Sequence, residues 1–338
     1  MRFILPSTAI DGDVATTSHV DGLLRRVVDE VHILILPDGS DLEKTAFFRE
    51  CRPHIKELLR RAVQATAFQP APASGPHSRS FVIGEDVTVS QAERLAYTPL
   101  IVLVENRETD GILVEAAIEL LATREVVSLW STNFSTGKAA KPDSGGGTGE
   151  LQKAIDTICG EAKSFGVPPR LVVMTDSDAR WPGSVSAKAV SIEDACQARD
   201  VAAVVLSCKA IENYIPDIVL RHWASHPGRV RARPAVDALS RLSPEGRDHF
   251  PMKGRKGKNS PTPNRGFAAI DHPSAPPEQI SLYAAVVPED RTALLDGFPD
   301  DIIWALKTHI GELSAAHLES RDSRGDLRRL VELISNAL

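Results

Sequence analysis

The stretch RLVVMTDSDAR, residues 170–180, is the starting point for predicting the fold. Its apolar run Leu171–Met174 has the length and composition of a buried β-strand, and it leads directly into the segment TDSD. Because side chains alternate along a strand, residues i and i+2 share a face. Asp176 and Asp178 are therefore expected to point the same way at the carboxyl end of this strand. An Asp-x-Asp after a strand is by itself also typical of a helix N-cap or a turn.

The segments on both sides of this strand alternate between strand and helix patterns. Apolar runs predict strands in TPLIVLVEN (98–106) and VAAVVLS (201–207), and a short strand is predicted for EVVSLW (125–130). TDGILVEAAIELLATR (109–124) and the residues after the glycines of GGGTGELQKAI (145–155) have helical patterns. Strands that alternate with helices predict an α/β fold, in which a mainly parallel sheet is flanked by helices.

Four regions are predicted along the 338 residues. Residues 1–95 form an N-terminal α/β extension that ends in the Pro-rich linker FQPAPASGPHSRS, and residues 96–220 hold the alternating strands and helices. Residues 221–275 are predicted to be a basic loop region, and residues 276–338 a helical C-terminal region.

Charge is unevenly distributed along the chain. The net charge is −6, yet residues 221–266 contain eleven Lys or Arg and only three Asp or Glu. A basic segment on an acidic chain is a candidate contact for a polyanion. The side chains predicted to contact nucleic acid are Arg231, Arg233, Lys253, Arg255, Lys256 and Lys258.

The cysteines and the apolar runs exclude several classes of protein. The four cysteines are scattered without a C-x-x-C pair, which argues against a disulfide framework and a zinc site and fits a reducing cytosol. No apolar run approaches the roughly 20 residues of a membrane span, and MRFILPSTAIDGD lacks the features of a signal peptide. A cytoplasmic protein without membrane contact is predicted. His222, His226 and His249 have no evident ligand spacing and are interpreted as surface residues.

Acidic residues follow several of the predicted strands. Glu105 ends one strand, Asp176 and Asp178 end another, and Glu212 lies shortly after a third. In an open parallel sheet, ligands bind beyond the carboxyl ends of the strands, so these four carboxylates are expected at one rim. Like charges at close range are costly without a counter-ion, and Mg²⁺ prefers oxygen ligands. A divalent cation beside a basic segment suggests phosphodiester chemistry.

The order of these motifs resembles the Toprim domain, the catalytic fold of topoisomerases, primases and OLD-type nucleases. The resemblance covers residues 98 to about 220: LIVLVEN with Glu105, GGGTGELQKAI, VVMTDSD with Asp176 and Asp178, and AIENYIP with Glu212. The last segment is similar to the I-E-N-Y stretch of Toprim-type nucleases of bacterial anti-phage systems. Many members have Gly after the first Glu and an Asp four residues beyond that Glu; here Asn106 follows, and Asp110 lies five residues beyond.

The resemblance implies a mechanism for the site. Glu105, Asp110, Asp176, Asp178 and Glu212 would bind one or two Mg²⁺ or Mn²⁺, and Glu105 would also act as the general base. OLD-type enzymes use a lysine after the acids to stabilise transition-state charge; Lys253 is the candidate by position, and a lysine in a solvated basic loop is the alternative. The three tyrosines fit no topoisomerase nucleophile domain, and the cysteines fit no primase zinc site, so the nuclease branch is favoured.

The expected function is therefore a metal-dependent nuclease in bacterial anti-phage defence. The resemblance implies DNA or RNA as substrate and an ATPase as partner protein, and homo-oligomers are compatible with it. Two alternatives remain. The chain could be a non-catalytic Toprim-like scaffold or sensor subunit of a defence complex, or a phosphotransferase that acts on small molecules.

Overall fold

The computed structural model describes residues 1–10, 14–28, 32–36, 39–68, 80–131, 133–134, 137–146, 150–253 and 265–338. The N-terminal elements are β1 (Arg2–Ile4), α1 (Ser7–Ile10), α2 (Val14–Val28), β2 (Ile33–Ile35), α3 (Gly39–Leu42), α4 (Ala46–Glu50), α5 (Pro53–Phe68), β3 (Ser80–Val82) and α6 (Val89–Tyr97). The strands pair in parallel in the order β2-β1-β3. With α2, α5 and α6 they form a hydrophobic core whose buried members all lie between Met1 and Ala96.

A second sheet follows. Its region contains β4 (Leu100–Val104), α7 (Asp110–Leu121), α8 (Arg124–Ser131), β5 (Asn133–Phe134), β6 (Gly137–Lys138), β7 (Ala140–Ser144), α9 (Leu151–Ser164), β8 (Leu171–Thr175), α10 (Ala187–Gln197) and β9 (Ala202–Val205). Four strands pair in parallel in the order β7-β4-β8-β9, and β5 pairs with β6 antiparallel. The predicted fold class is confirmed: parallel sheets are flanked by helices.

Strand β8 is buried along its whole length because both faces of the sheet are covered. Val172 and Met174 belong to the core that α7 and the C-terminal helices share, which we call the main core. Leu171 and Val173 point to the other face and pack with residues of α9 and α10. Burial on both faces explains why this strand has an unbroken apolar run in the sequence.

The rest of the chain is helical. It contains a 3₁₀ helix (Ile211–Tyr214), α11 (Asp217–Ser225), a 3₁₀ helix (Pro227–Ala232), α12 (Arg233–Ser240), α13 (Pro244–His249), α14 (Gly266–Ile270), α15 (Pro277–Leu282), α16 (Pro288–Ala293), α17 (Trp304–His309), a 3₁₀ helix (Ile310–Glu312), α18 (Ala315–Glu319) and α19 (Asp326–Ala337). Helices α17 and α19 pack against α7, and α19 also contacts β8 and β9. Among the described residues, no helix has the length and apolar character needed to cross a bilayer.

The strand predicted for EVVSLW is wrong, because residues 125–130 belong to α8. Val126, Leu129 and Trp130 recur at helical spacing and pack against the main core. The sheet instead takes its edge strand β7 from AKPDS, which was not predicted. A strand that contains Pro142 and charged side chains is tolerated at the edge of a sheet, where one side of the backbone has no strand partner.

The prediction of a basic loop for residues 221–275 is wrong where the structure forms helices: α11 extends to Ser225, and a 3₁₀ helix, α12, α13 and α14 follow. Val236 and Leu239 of α12 are buried in the main core, so this segment folds as an amphipathic helix despite its charge. Residues 254–264 lie outside the described residues. His249 is only 2% exposed rather than a surface residue, and its Nδ1 lies 3.2 Å from the carbonyl oxygen of Ala179.

Candidate metal centre

The second sheet has its ligand-binding crevice between β4 and β8. After β4 the chain forms β7 on one side of β4 and then β8 on the other side. The strand order therefore reverses between β4 and β8. Ligands of open parallel sheets bind at this point, beyond the carboxyl ends of the strands. Glu105 follows β4 directly and Asp176 follows β8 directly. Two of the predicted acids therefore stand at the expected crevice.

Asp176 and Asp178 belong to a turn that is tied to the loop after β9. The N–H of Ile211 donates to Oδ1 of Asp176 at 3.1 Å. The N–H of Asp178 donates to the carbonyl oxygen of Lys209 at 3.0 Å. Ser177, the middle residue of the turn, also bonds to this loop through its buried hydroxyl.

The expectation that strand alternation aligns Asp176 and Asp178 is wrong, because β8 ends at Thr175. Asp178 has a left-handed backbone, with φ of 52°, and its side chain is exposed, whereas Asp176 is half-buried. The hydroxyl of Ser177 donates to the carbonyl oxygen of Cys208 at 2.7 Å. Both residues nevertheless line one open cleft of about 640 Å³, because the turn, rather than the strand, brings them to the same side.

Glu212 brings a buried carboxylate to the same place. It lies on the 3₁₀ helix Ile211–Tyr214 and is 0% exposed. Its counter-charge is the ammonium of Lys253, whose Nζ lies 2.6 Å from Oε1. Neither carboxylate oxygen accepts a well-directed hydrogen bond from the described residues. Burial raises the pKa of Glu212, and Lys253 opposes this shift.

Glu105 has a cationic partner that the sequence did not suggest. Lys188, in the first turn of α10, forms an ion pair with its Oε1, and the hydroxyl of Thr175 donates to the same oxygen at 3.2 Å. Asp110, the first residue of α7, is buried and accepts the N–H of Asn106 at 2.9 Å. The Asp that departs from the family spacing is therefore held against the loop that carries Glu105.

The charges of three other acids affect the pKa of Asp176. Burial raises the pKa of the Asp176 carboxyl well above its ordinary value, and the negative charge of Glu212 adds to the rise. Asp110 and Glu105 act in the same direction. Burial alone would lower the pKa of Lys253, but the surrounding carboxylates, first of all Glu212, outweigh it and raise that pKa.

The donor set fits a hard divalent cation. Glu105, Asp110, Asp176, Asp178 and Glu212 offer the carboxylate oxygens that Mg²⁺ and Mn²⁺ prefer. A buried carboxylate without well-directed hydrogen bonds is costly, and a cation would satisfy that of Glu212. No three of these five carboxylates place oxygens within 4.8 Å of one another; Lys188 and Lys253 contact two of them instead. Ligation would require these side chains to leave their lysines.

The cleft has cations of its own. Its lining includes Arg180, Lys209 and Lys253, together with the partly buried Trp181. Burial lowers the pKa of Lys209, and the carboxylate of Asp178 opposes this shift. Lys209 immediately precedes the AIENYIP segment, so the sequence alone shows that it is close to Glu212. The sequence does not indicate that Lys209 lies beside Asp178.

The predicted nucleic-acid residues have different positions. Lys253 lines the cleft. Arg231 and Arg233 are exposed, on a 3₁₀ helix and on α12, and are not part of the cleft lining. Arg255, Lys256 and Lys258 lie outside the described residues. Their contact with nucleic acid stays a prediction.

No protein-family model, no curated protein and no solved structure matches this chain. The resemblance to Toprim nucleases depends on the sequence motifs alone and stays a prediction.

Proposed function

We propose that this chain is a nuclease that hydrolyses phosphodiester bonds of DNA or RNA with Mg²⁺ or Mn²⁺. The observation that carries the proposal is the position of the acids at the switch point of the sheet: Glu105 directly follows β4, and Asp176 directly follows β8 and accepts the N–H of Ile211, the residue before Glu212. A group of carboxylates beside a cleft with cationic lining is suited to join a divalent cation to a phosphate.

The chain's own residues have distinct roles in this proposal. When bound, the cation neutralises phosphate charge and makes a water molecule more acidic. Asp176, Asp178 and Glu212 would hold the cation, with Asp110 beside them. Glu105 accepts the proton of the attacking water, and Lys188 orients its carboxylate. Lys253 donates to the phosphate oxygens as negative charge develops on them.

The shape and charge of the cleft favour a polymer as the substrate. It is open, and Arg180, Lys209 and Lys253 distribute positive charge along its lining. Cations along a groove attract a phosphate backbone irrespective of sequence. The ring of Trp181 adds a surface on which a base can stack.

The biological setting follows from the resemblance to Toprim nucleases. We propose that the protein acts in the cytoplasm in bacterial anti-phage defence. It works there with a partner ATPase, either as a monomer or as a homo-oligomer. The second candidate is a non-catalytic Toprim-like scaffold or sensor of such a complex. The observation that favours this second candidate is the pairing of Glu105 and Glu212 with lysines, since these ion pairs neutralise both acids without a metal.

The proposal is tested by cleavage of supercoiled plasmid, single-stranded DNA and structured RNA, each with Mg²⁺, Mn²⁺ or a chelator. Cleavage should require the metal and should disappear in Asp176→Asn/Asp178→Asn. The control is Glu193→Gln/Asp194→Asn, which removes the same charge from an exposed face of α10 and should cut normally.

Two further outcomes separate the alternatives. Turnover of nucleotides without any effect on polymers would identify the small-molecule phosphotransferase. Folded protein that binds neither Mg²⁺ nor Mn²⁺ and cuts none of the substrates would refute the nuclease and leave the scaffold.

A further inference from the structure

A second group of metal-ligand side chains lies outside the cleft that Asp176 and Asp178 line, which we call the acidic cleft. His222 is in α11, His309 ends α17, and Glu312 ends the 3₁₀ helix that follows. One ligand atom from each of the three lies within 4.8 Å of the other two, and none of these residues lines the acidic cleft. We propose that they form a zinc site that joins α11 to α17.

The distances fit a small metal ion. Nδ1 of His222 lies 2.8 Å from Oε2 of Glu312, and Nδ1 of His309 lies 3.0 Å from Oε1. With Zn–N bonds of about 2.0–2.1 Å, neighbouring ligand atoms of a tetrahedral site are on the order of 3.4 Å apart. The two imidazole rings are 5.3 Å apart and tilted by 58°. The carboxylate that now connects both rings therefore needs only small side-chain rotations to share an ion with them.

The chemistry of the donors selects the metal. Imidazole nitrogens suit Zn²⁺ and related transition metals, whereas Mg²⁺ prefers oxygen ligands alone. Two histidines and one glutamate are a ligand set that zinc uses where the fourth position is open. His226 lines a cavity of about 440 Å³ together with His222 and His309 and is the candidate for that fourth position. The scattered cysteines exclude only the sulfur-based kinds of zinc site.

The site would staple two helices of the main core. Helix α11 packs against α17, and α17 packs against α7. Beneath the cluster, Trp223 of α11 meets Phe298 edge-on, with ring centroids 6.2 Å apart. His222 lies about ninety residues before the other two ligands in the sequence, which are three residues apart. A bond between these positions would hold the folded chain together, so binding of zinc should raise the temperature of unfolding.

The test is titration of the full chain with Zn²⁺ by calorimetry, in the Asp176→Asn/Asp178→Asn background so that the acidic cleft contributes little. We expect one Zn²⁺ per chain and a rise in Tm. His222→Ala and His309→Ala should each weaken binding by about tenfold or more, because loss of a ligand costs at least as much as loss of a group that orients one. Glu312→Gln, which keeps the shape of the side chain, should weaken it as well.

The control is His54→Ala, which removes an exposed histidine at the start of α5 and should leave the titration unchanged. Mg²⁺ at the same concentrations should not raise the Tm in this background. Zinc binding that is equally tight in His222→Ala and His309→Ala would overturn the proposal, and so would the absence of binding at micromolar Zn²⁺. In either case the cluster would be a surface ion-pair network only.

Discussion

Lys253 supplies the clearest test of the electrostatics of the cleft. Lys253→Met removes the ammonium that lies 2.6 Å from Oε1 of Glu212 and keeps most of the side-chain volume. Glu212 is 0% exposed, so its charge is left buried without a partner. Removal of one member of a buried ion pair costs about 3–5 kcal/mol. Because the side chain of Lys253 is 33% exposed and water screens the pair, we expect the lower end, about 3 kcal/mol.

The assay is unfolding in urea at pH 7.5 without divalent ions, followed by circular dichroism. The matched control is Lys141→Met, which breaks an ion pair of 2.8 Å with Asp143 in which both side chains are more than one third exposed. An exposed pair of this kind contributes about 0–1 kcal/mol. Addition of Glu212→Gln to the Lys253→Met variant should restore at least half of the lost stability, because the neutral amide leaves no buried charge.

Magnesium should rescue the same variant. A cation that takes the place of the ammonium binds only the folded chain, and at one hundred times its Kd it stabilises that state by about 2.7 kcal/mol. The reasoning is refuted if Lys253→Met loses no more stability than the Lys141→Met control. It is also refuted if Glu212→Gln fails to restore stability in the double variant.

Three other predictions follow from the contacts. Lys253→Arg should abolish cleavage if Lys253 stabilises the transition state, and should retain it if this residue only attracts phosphate; single-turnover rates with each variant separate the two. Ser177→Ala leaves the buried carbonyl oxygen of Cys208 without its 2.7 Å donor, so unfolding in urea should show a loss of about 1–3 kcal/mol, together with weaker Mg²⁺ binding. His32 is buried, and burial is the main reason why its pKa falls from 6.5 to about 2. The unfolded chain therefore binds a proton at a higher pH than the folded chain does, and the free energy of unfolding decreases as the pH drops below 6.5. At pH 5.5 this loss should be about 1.4 kcal/mol relative to pH 7.5, and His32→Gln should remove it from the pH dependence of urea unfolding.

The sequence was most informative where burial is continuous. Strands β4 and β8 were predicted because both of their faces are covered and apolar residues fit there. The edge strand β9 was predicted because its residues are all apolar. Strand β7 was missed because an edge strand accepts Pro142 and charged residues. The apolar residues of α8 fit either period over so short a segment, and only their packing against the main core decides for the helix.

The site divides in the same way. Glu105 and Asp176 were predicted at the ends of strands because each directly follows an apolar run, and the structure has them at the ends of β4 and β8. That the five acids share one cation stays a prediction. Lys188 pairs with Glu105 across 83 positions, and no local pattern announces such a contact. The turn of Asp176 and Asp178 depends on hydrogen bonds from the loop after β9, which are equally non-local. Sequence reasoning therefore found the charges that need compensation but not the groups that compensate them.

In the proposed mechanism, the lysines paired with these acids imply an order of binding at the cleft. Lys188 and Lys253 offset the negative charges of Glu105 and Glu212. Burial raises the pKa of Asp176, which favours its neutral form. In the proposed mechanism, a bound cation would take over the oxygen of Glu212 that Lys253 contacts, and Lys253 would then be available to phosphate. The role that the family resemblance gives to Lys253, contact with phosphate, and the contact in the structure, pairing with Glu212, thus belong to successive states. The proposal therefore implies that metal binds before nucleic acid, because in the structure the ammonium of Lys253 is paired with the buried carboxylate of Glu212.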